Sequence, residues 1–163
     1  MRARSRIIKT KQTKPVAVVV KYYEKTMDFL LYNVVLNSIL VGIILMTQFI
    51  TYPLFQFIDS DFKTYHKAYT KRMGYVVAPL MVLELLLVIK ITTHYYSNAI
   101  IILIGVLTLI IWLSTFFIQV PVHNNLSEEK PKNQIIFLIK SNYIRTLCWL
   151  LKLILSIQIL DMN

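Results

Sequence analysis

Two long stretches without a charged residue constrain this chain more than any other feature of its sequence. Residues 29–50 are 22 consecutive positions free of Asp, Glu, Lys and Arg, and residues 98–122 are 25 such positions. A helix rises about 1.5 Å per residue and needs about 20 residues to cross roughly 30 Å of hydrocarbon. Both stretches therefore predict membrane-spanning helices.

Two further apolar segments are each interrupted by a single charge. Residues 73–89 contain only Glu84, and residues 146–160 contain only Lys152. The polar stripes at helical spacing that a soluble bundle needs are weak in both segments. We therefore predict an all-α integral membrane four-helix bundle made of two helical hairpins. Three spans with a buried or interfacial fourth helix are the alternative. The predicted spans are about 29–51, 73–92, 98–120 and 142–160, in a domain of residues 29–163.

The chain begins with a basic segment. Residues 1–28 carry eight Lys and Arg residues and no acid before Glu24, which predicts a disordered or interfacial tail; an organellar transit peptide is the alternative. The net charge of +10 comes mostly from this tail and the loops. Such charges suit anionic lipid headgroups, so we expect the lipid bilayer and not nucleic acid as the partner. Because Lys and Arg are nearly balanced between the two sides, the orientation stays open, as does the oligomeric state.

Polar residues gather where the predicted spans meet one membrane face. In an alternating bundle, the ends of the first and third spans adjoin the starts of the second and fourth. Polar groups in a membrane face the bundle interior and mark function. This predicts a polar mouth with two candidate catalytic residues, His123 and His66, of which His123 is the better general base. The candidate ligand-binding residues of the mouth are Gln48, Tyr52, Gln119, Asn142 and Arg145.

The residue types of the chain give little support for a metal site or a bound cofactor. His66 and His123 are candidates for ligating haem or another metal, but two histidines without a third ligand more often form hydrogen bonds. We assign no metal site and leave the cofactor open. The single cysteine, Cys148, excludes an intramolecular disulfide and a cysteine-based cluster.

Glu84 and Lys152 lie deeper than the mouth. Glu84 is about twelve residues into the second span, or ~18 Å by helical rise, and Lys152 is about ten residues into the fourth. An unpaired charge at that depth is costly, so we predict a buried Glu84–Lys152 ion pair. Whether the pair fixes helix registry or serves function stays open.

A twofold theme accompanies these residues. Gln48 ends the first span and Gln119 ends the third, 71 positions later, and each is followed by a proline. The spacings from glutamine to proline differ, at five and two residues. The theme favours two helical hairpins lying side by side.

Three motifs carry a resemblance to known proteins: Gln48 with Tyr52-Pro53-Leu54-Phe55, Gln119-Val120-Pro121-Val122-His123, and Asn142-Tyr143-Ile144-Arg145-Thr146. Over roughly residues 30–158 the chain resembles a family of small uncharacterised four-helix bacterial integral membrane proteins. That family is distantly similar to the anthrone-oxygenase-like membrane proteins, which implies the bacterial inner membrane and oxidation of polycyclic phenolic compounds. Family members often have histidine where this chain has Thr51 and Tyr69, which weakens the implied metal chemistry.

These observations leave two main functions open. One is a membrane protein that binds or acts on a lipophilic small molecule through the polar mouth. The other is a non-catalytic membrane binding, transport-accessory or structural protein, in which Glu84 and Lys152 hold the bundle together. A proton or ion path through Glu84 is a third hypothesis.

Overall fold

Four long helices make up the fold. The computed structural model describes residues 14–162, and this range is helical apart from short loops and contains no strand. Its four helices are long and apolar enough to cross a membrane at Asp28–Phe57, Phe62–His94, Ala99–Glu128 and Lys132–Asp161. The predicted all-α four-helix membrane bundle, and with it a multi-pass membrane protein, is confirmed.

The first helix is the longest because it begins well before its membrane span. Its regular α-helical part is Lys14–Met46. Residues 1–13 of the predicted basic tail lie outside the described residues. Residues 14–28 form the start of the first helix, continuous with its span.

The second and fourth helices begin earlier than their predicted spans. The second starts at Phe62 and not near position 73, so the predicted loop before it is largely wrong. The fourth starts at Lys132 and not near position 142. In the second helix, buried Phe62 and His66 are four residues apart, so the inward face continues through the charged segment. A helix does not have to end where its exposed face becomes charged.

The helices pack as a square. The first and third helices each pack against the second and fourth, so the diagonals are first–third and second–fourth. The loops at residues 58–61 and 129–131 lie at one end of the bundle, which we call the double-loop end. The single turn at residues 95–98 lies at the opposite end.

Two π-helical turns interrupt the first and third helices. They are Thr47–Thr51 and Thr115–Gln119, and a proline occupies the first turn of the α-helix after each. Proline lacks an N–H and clashes with the carbonyl four residues before it, and a π turn is a known way of adjusting the ladder. Helical structure continues past Pro53 to Phe57, beyond the predicted end of the first span near residue 51.

The two π turns are related by a spacing of 68 residues and not by the 71 residues that separate Gln48 from Gln119. Both Thr47 and Pro53 have their counterparts 68 positions later, at Thr115 and Pro121, and the threonines donate alike to the carbonyl four residues earlier. The equivalence of Gln48 with Gln119 is therefore wrong, because Gln119 matches the position of Thr51. The same 68-residue spacing relates Glu84 to Lys152.

Candidate functional site

A cavity of about 350 Å³ lies between the four helices, in the half of the bundle nearer the double-loop end. This size falls within the range of about 300–1,000 Å³ typical of small-molecule pockets. Side chains from all four helices form its walls. The deep walls are mainly apolar, and they include Leu40, Ile44, Met81, Trp112 and Trp149.

The cavity opens sideways between the second and third helices. Five of its wall residues are exposed, and all of them lie on these two helices: Gly74, Ala78, Phe116, Val120 and Asn124. The wall residues from the first and fourth helices are buried or half-buried. Four of these five residues are apolar, and Asn124 is the polar one, so the opening has mainly the character of a lipid-facing surface.

The polar end of the cavity is a chain of hydrogen-bonded rings. The Tyr52 hydroxyl lies 2.9 Å from His123 Nε2, and His123 Nδ1 lies 3.0 Å from His66 Nε2. The two imidazoles are stacked, with centroids 5.1 Å apart. His66 Nδ1 lies 2.9 Å from the hydroxyl of Ser127, which in turn donates to the His123 carbonyl at 2.9 Å. The chain thus runs from the cavity to the double-loop end.

Helix spacing and the π turn explain how these groups meet. His123 and Ser127 are four residues apart, which places them on one face of the third helix. Tyr52 follows the π turn of the first helix directly, and its N–H bonds to the Thr47 carbonyl. The π turn shifts the helical phase of Tyr52 relative to the preceding residues, and the tyrosine ring lies across His123.

Arg145 is a buried cation at the wall of this cavity. It is only 7% exposed, and no ion pair among the described residues includes it. Its guanidinium interacts with the Tyr52 hydroxyl, donates to Asn142 Oδ1 at 3.4 Å, and lies 5.1 Å from the Trp149 ring. Its Nε has no hydrogen-bond partner. A buried charge without a counter-charge is costly, which makes Arg145 receptive to an anion.

A separate network fastens the fourth helix to the first. The Gln48 Oε1 atom accepts from Asn142 Nδ2 at 2.9 Å and from the Thr146 hydroxyl at 3.3 Å, while Gln48 Nε2 donates to the Ile139 carbonyl at 3.1 Å. Gln119 Nε2 donates to Ser141 at 3.1 Å. Gln48, Gln119 and Asn142 do not form walls of the cavity. Of the five predicted ligand-binding residues, only Tyr52 and Arg145 do.

Glu84 and Lys152 form an ion pair behind the cavity, with Glu84 Oε1 2.5 Å from Lys152 Nζ. Trp149 Nε1 donates to Glu84 at 3.1 Å, and Lys152 donates to the Thr108 hydroxyl at 3.1 Å. With its amide turned to satisfy both neighbours, Asn37 also donates to Glu84. Trp149 therefore stands between the cavity and the pair.

The histidines as arranged do not fit a haem or a metal ion. All four ring nitrogens of His66 and His123 are engaged, with Ser127, with each other and with Tyr52. In the part of the chain that the structure describes, no group of three His, Cys, Asp or Glu side chains is placed to hold a metal. The arrangement favours proton transfer over ligation.

Sequence reasoning missed several residues of this site. Trp112 and Trp149 were not among the predicted site residues, yet both form cavity walls and Trp149 is 1% exposed. The sequence signal for Trp149 was its spacing, since it follows Arg145 by one helical turn. Ser127 gave a similar signal, one turn after His123. The signal for Tyr69 of the cavity wall was the family resemblance, in which histidine often occupies its position.

Comparison of the chain with protein-family models, curated proteins and solved structures finds no match in any of the three. The family resemblance of the motifs therefore stays a prediction.

Proposed function

We propose that the protein binds a lipophilic small molecule with one acidic or anionic oxygen, which enters from the bilayer through the opening between the second and third helices. The observation that carries the proposal is buried Arg145, with an unpartnered Nε, at the polar end of an apolar cavity. The lipid bilayer and this ligand are the partners we propose.

The character of the walls supports a lipophilic ligand. The deep end is bordered by Leu40, Met81 and the two tryptophans, and the opening by Gly74 and Ala78 on one side. A ligand that comes from water gains roughly 25 cal/mol for each Å² of apolar surface that it buries against such walls. A ligand already partitioned into the bilayer gains less from burial and depends more on its polar contact.

That polar contact falls to Arg145 and Tyr52. A guanidinium recognises a carboxylate, phenolate or enolate oxygen through directed N–H bonds, and a ligand anion would supply the counter-charge that Arg145 lacks. The Tyr52 hydroxyl adjoins the same position. The ligand head therefore sits between these two side chains and its apolar body points toward Trp149.

The location follows from the motif resemblance. We propose the bacterial inner membrane, because the motifs around Tyr52, His123 and Arg145 resemble a family of four-helix bacterial membrane proteins. The likeness of that family to anthrone-oxygenase-like proteins adds support for a small organic ligand.

A structural or transport-accessory role is the second candidate. The saturated Gln48–Asn142–Thr146 network and the buried Glu84–Lys152 pair favour it, because both tie helices together and neither borders the cavity. Under this alternative the cavity holds no specific small molecule.

Tryptophan fluorescence separates the two candidates, since both tryptophans of the chain, Trp112 and Trp149, are cavity walls. The protein in lipid nanodiscs is titrated with 2,4,6-tribromophenol, a lipophilic weak acid whose bromines quench tryptophan. We expect saturable quenching. The methyl ether, 2,4,6-tribromoanisole, should bind more weakly because it cannot ionise against Arg145.

Two glycine variants provide matched specificity controls. Gly74 is a wall residue at the opening, and a Cβ added there meets no atom within 4 Å, so we expect Gly74→Leu to block the opening and abolish saturable quenching. Gly42 is equally free of contacts but is not a wall residue, so Gly42→Leu should bind as the wild type. Quenching that never saturates, or that is equal in both variants, would overturn the proposal.

A further inference from the structure

The hydrogen-bonded chain from Tyr52 to Ser127 has a single consistent direction. The hydroxyl of Ser127 has one hydrogen, which it donates to the His123 carbonyl. Toward His66 Nδ1, the serine oxygen must therefore accept, so His66 carries its proton on Nδ1. A neutral imidazole has one donor and one acceptor nitrogen, which leaves His66 Nε2 as the acceptor.

The same reasoning fixes the next two links. His123 Nδ1 faces the accepting His66 Nε2 at 3.0 Å, so it carries the proton of that bond. His123 Nε2 is then the acceptor for the Tyr52 hydroxyl at 2.9 Å. A cationic imidazole would place a second buried positive charge close to Arg145, which is unfavourable. In the resting chain the donors of Tyr52, His123 and His66 therefore all point away from the cavity.

We propose that this chain is a proton relay that removes the proton of the bound ligand's hydroxyl and delivers it to water at the double-loop end, through Tyr52, His123, His66 and Ser127. The inference rests on the proposed function, because it takes the ligand to be the acid bound beside Arg145. Tyr52 is the catalytic residue, because its hydroxyl adjoins Arg145, where the ligand oxygen binds. The other three members carry the proton onward.

Each transfer breaks one bond to hydrogen and forms one. The ligand O–H proton joins the Tyr52 oxygen, while the tyrosine proton passes to His123 Nε2. The proton on His123 Nδ1 passes to His66 Nε2, and that on His66 Nδ1 passes to the Ser127 oxygen. The serine hydroxyl then breaks its bond to the His123 carbonyl and gives its original proton to water. The ligand keeps its electron pair as an oxyanion, and Arg145 supplies the compensating charge.

The surroundings isolate the middle of the relay and open its end. His66 is 0% exposed, and its ring contacts are Phe55, Phe62 and Tyr69, so water has no access to its bonds. Ser127 is half-buried and next to exposed Glu128, which pairs with Lys67 at 3.0 Å. A proton on His66 can therefore reach water at the double-loop end only through Ser127.

Arg145 is the charged group that faces the cavity end of the relay. Tyr52 and Tyr69 are the other ionisable groups beside it, while Glu84 and Lys152 neutralise each other behind Trp149. The fixed positive charge favours the ionised form of the ligand, and the relay provides the route by which its proton leaves. Arg145 thus controls the ionisation equilibrium of the ligand, and the relay side chains control the rate at which its proton leaves.

This division supplies the test. The wild type in nanodiscs is mixed with 2,4,6-tribromophenol in stopped flow, below the probe's own pKa. Phenolate absorbance reports ionisation of the probe, and a water-soluble pH indicator reports proton release. We expect binding to be followed by release of about one proton per bound probe. At saturating probe, Tyr52→Phe and Ser127→Val should each slow that release at least tenfold. Ser127 is not a wall residue of the cavity, so Ser127→Val should also keep the saturable tryptophan quenching of the wild type.

The chain offers matched controls for both substitutions. Ser38 also donates to the carbonyl four residues earlier, at 2.8 Å, but lies on an exposed face away from the relay. Tyr143 is a lipid-facing tyrosine of the fourth helix. Ser38→Val and Tyr143→Phe should release protons at the wild-type rate.

The outcomes separate the relay from the binding site. If either Tyr52→Phe or Ser127→Val releases protons at the wild-type rate when the probe is saturating, the relay is refuted while the proposed function stands. If the wild type shows no saturable quenching, the proposed function fails first. Slow release in the two relay variants alone, beside normal controls, supports the relay.

Discussion

Glu84 and Lys152 contact each other at 2.5 Å across the diagonal of the bundle, and both side chains are 0% exposed. The carboxylate also accepts from the Trp149 indole, and the ammonium donates to the Thr108 hydroxyl. Each charge is thus compensated mainly by the other. Removing one of them leaves its partner buried without a counter-charge, which is far more costly than removing both.

We therefore expect Lys152→Met to lower the free energy of unfolding by about 3–5 kcal/mol, the cost typical of breaking a buried pair. Adding Glu84→Gln to this variant should restore most of the loss, since the amide carries no charge. Unfolding in detergent, followed by circular dichroism, measures both variants. A double variant no more stable than Lys152→Met would contradict the expectation.

Arg145→Met should behave in the opposite way, although it lies only two helical turns before Lys152. No carboxylate is left unpaired by the change, because Arg145 forms no ion pair among the described residues. The ligand-free variant should be as stable as the wild type or more so, and its binding of 2,4,6-tribromophenol should fall at least tenfold. The same unfolding and quenching measurements apply. A marked loss of stability would show that the guanidinium is already compensated.

The Gln48 network should affect stability without affecting binding. Gln48→Leu leaves Asn142 Nδ2 without its acceptor, at a cost of about 1–3 kcal/mol for a buried unsatisfied group. The Thr146 hydroxyl still donates to the Asn142 carbonyl at 3.1 Å. Tribromophenol quenching should be unchanged. The exposed Gln56 offers the control, and Gln56→Leu should be neutral on both measurements. Loss of probe binding in Gln48→Leu would show that this residue belongs to the ligand site after all.

The two loops of the double-loop end are joined by a titratable contact. Lys130 donates to Asp59 at 3.0 Å, and this hydrogen bond, with the ammonium charge, holds the pKa of Asp59 below its ordinary value. Because the folded pKa is lowered, the contact stabilises the loops above the ordinary pKa of about 3.9. That contribution is lost as the pH falls through the lowered value.

Lys130→Gln should consequently raise the pKa of Asp59 toward its ordinary value. A titration of the labelled Asp59 carboxyl carbon by NMR measures the shift. Lys132 contributes only a weaker charge effect, so Lys132→Gln should move this pKa much less. Equal shifts in the two variants would mean that general charge and not the direct contact lowers it.

The number and the approximate positions of the membrane-spanning helices were predictable, because they depend on composition along the chain. Charge-free length identified the helices, and depth in the span was enough to pair Glu84 with Lys152. The direction of each mouth residue was not predictable, because one residue turns a helix by about 100° and two π turns shift the phase. Gln48 lies within such a turn and faces the fourth helix, while Tyr52 just after it faces His123.

The 68-residue spacing between Glu84 and Lys152 has a consequence for symmetry. In a dimer of two identical hairpins, one sequence position near the twofold axis meets its own copy. Such a dimer would set two carboxylates or two ammonium groups against each other there, and like charges repel. A pair of opposite charges at that position therefore requires two hairpins that differ, as the halves of this single chain do. The buried Glu84–Lys152 pair thus prevents one hairpin from taking the place of the other.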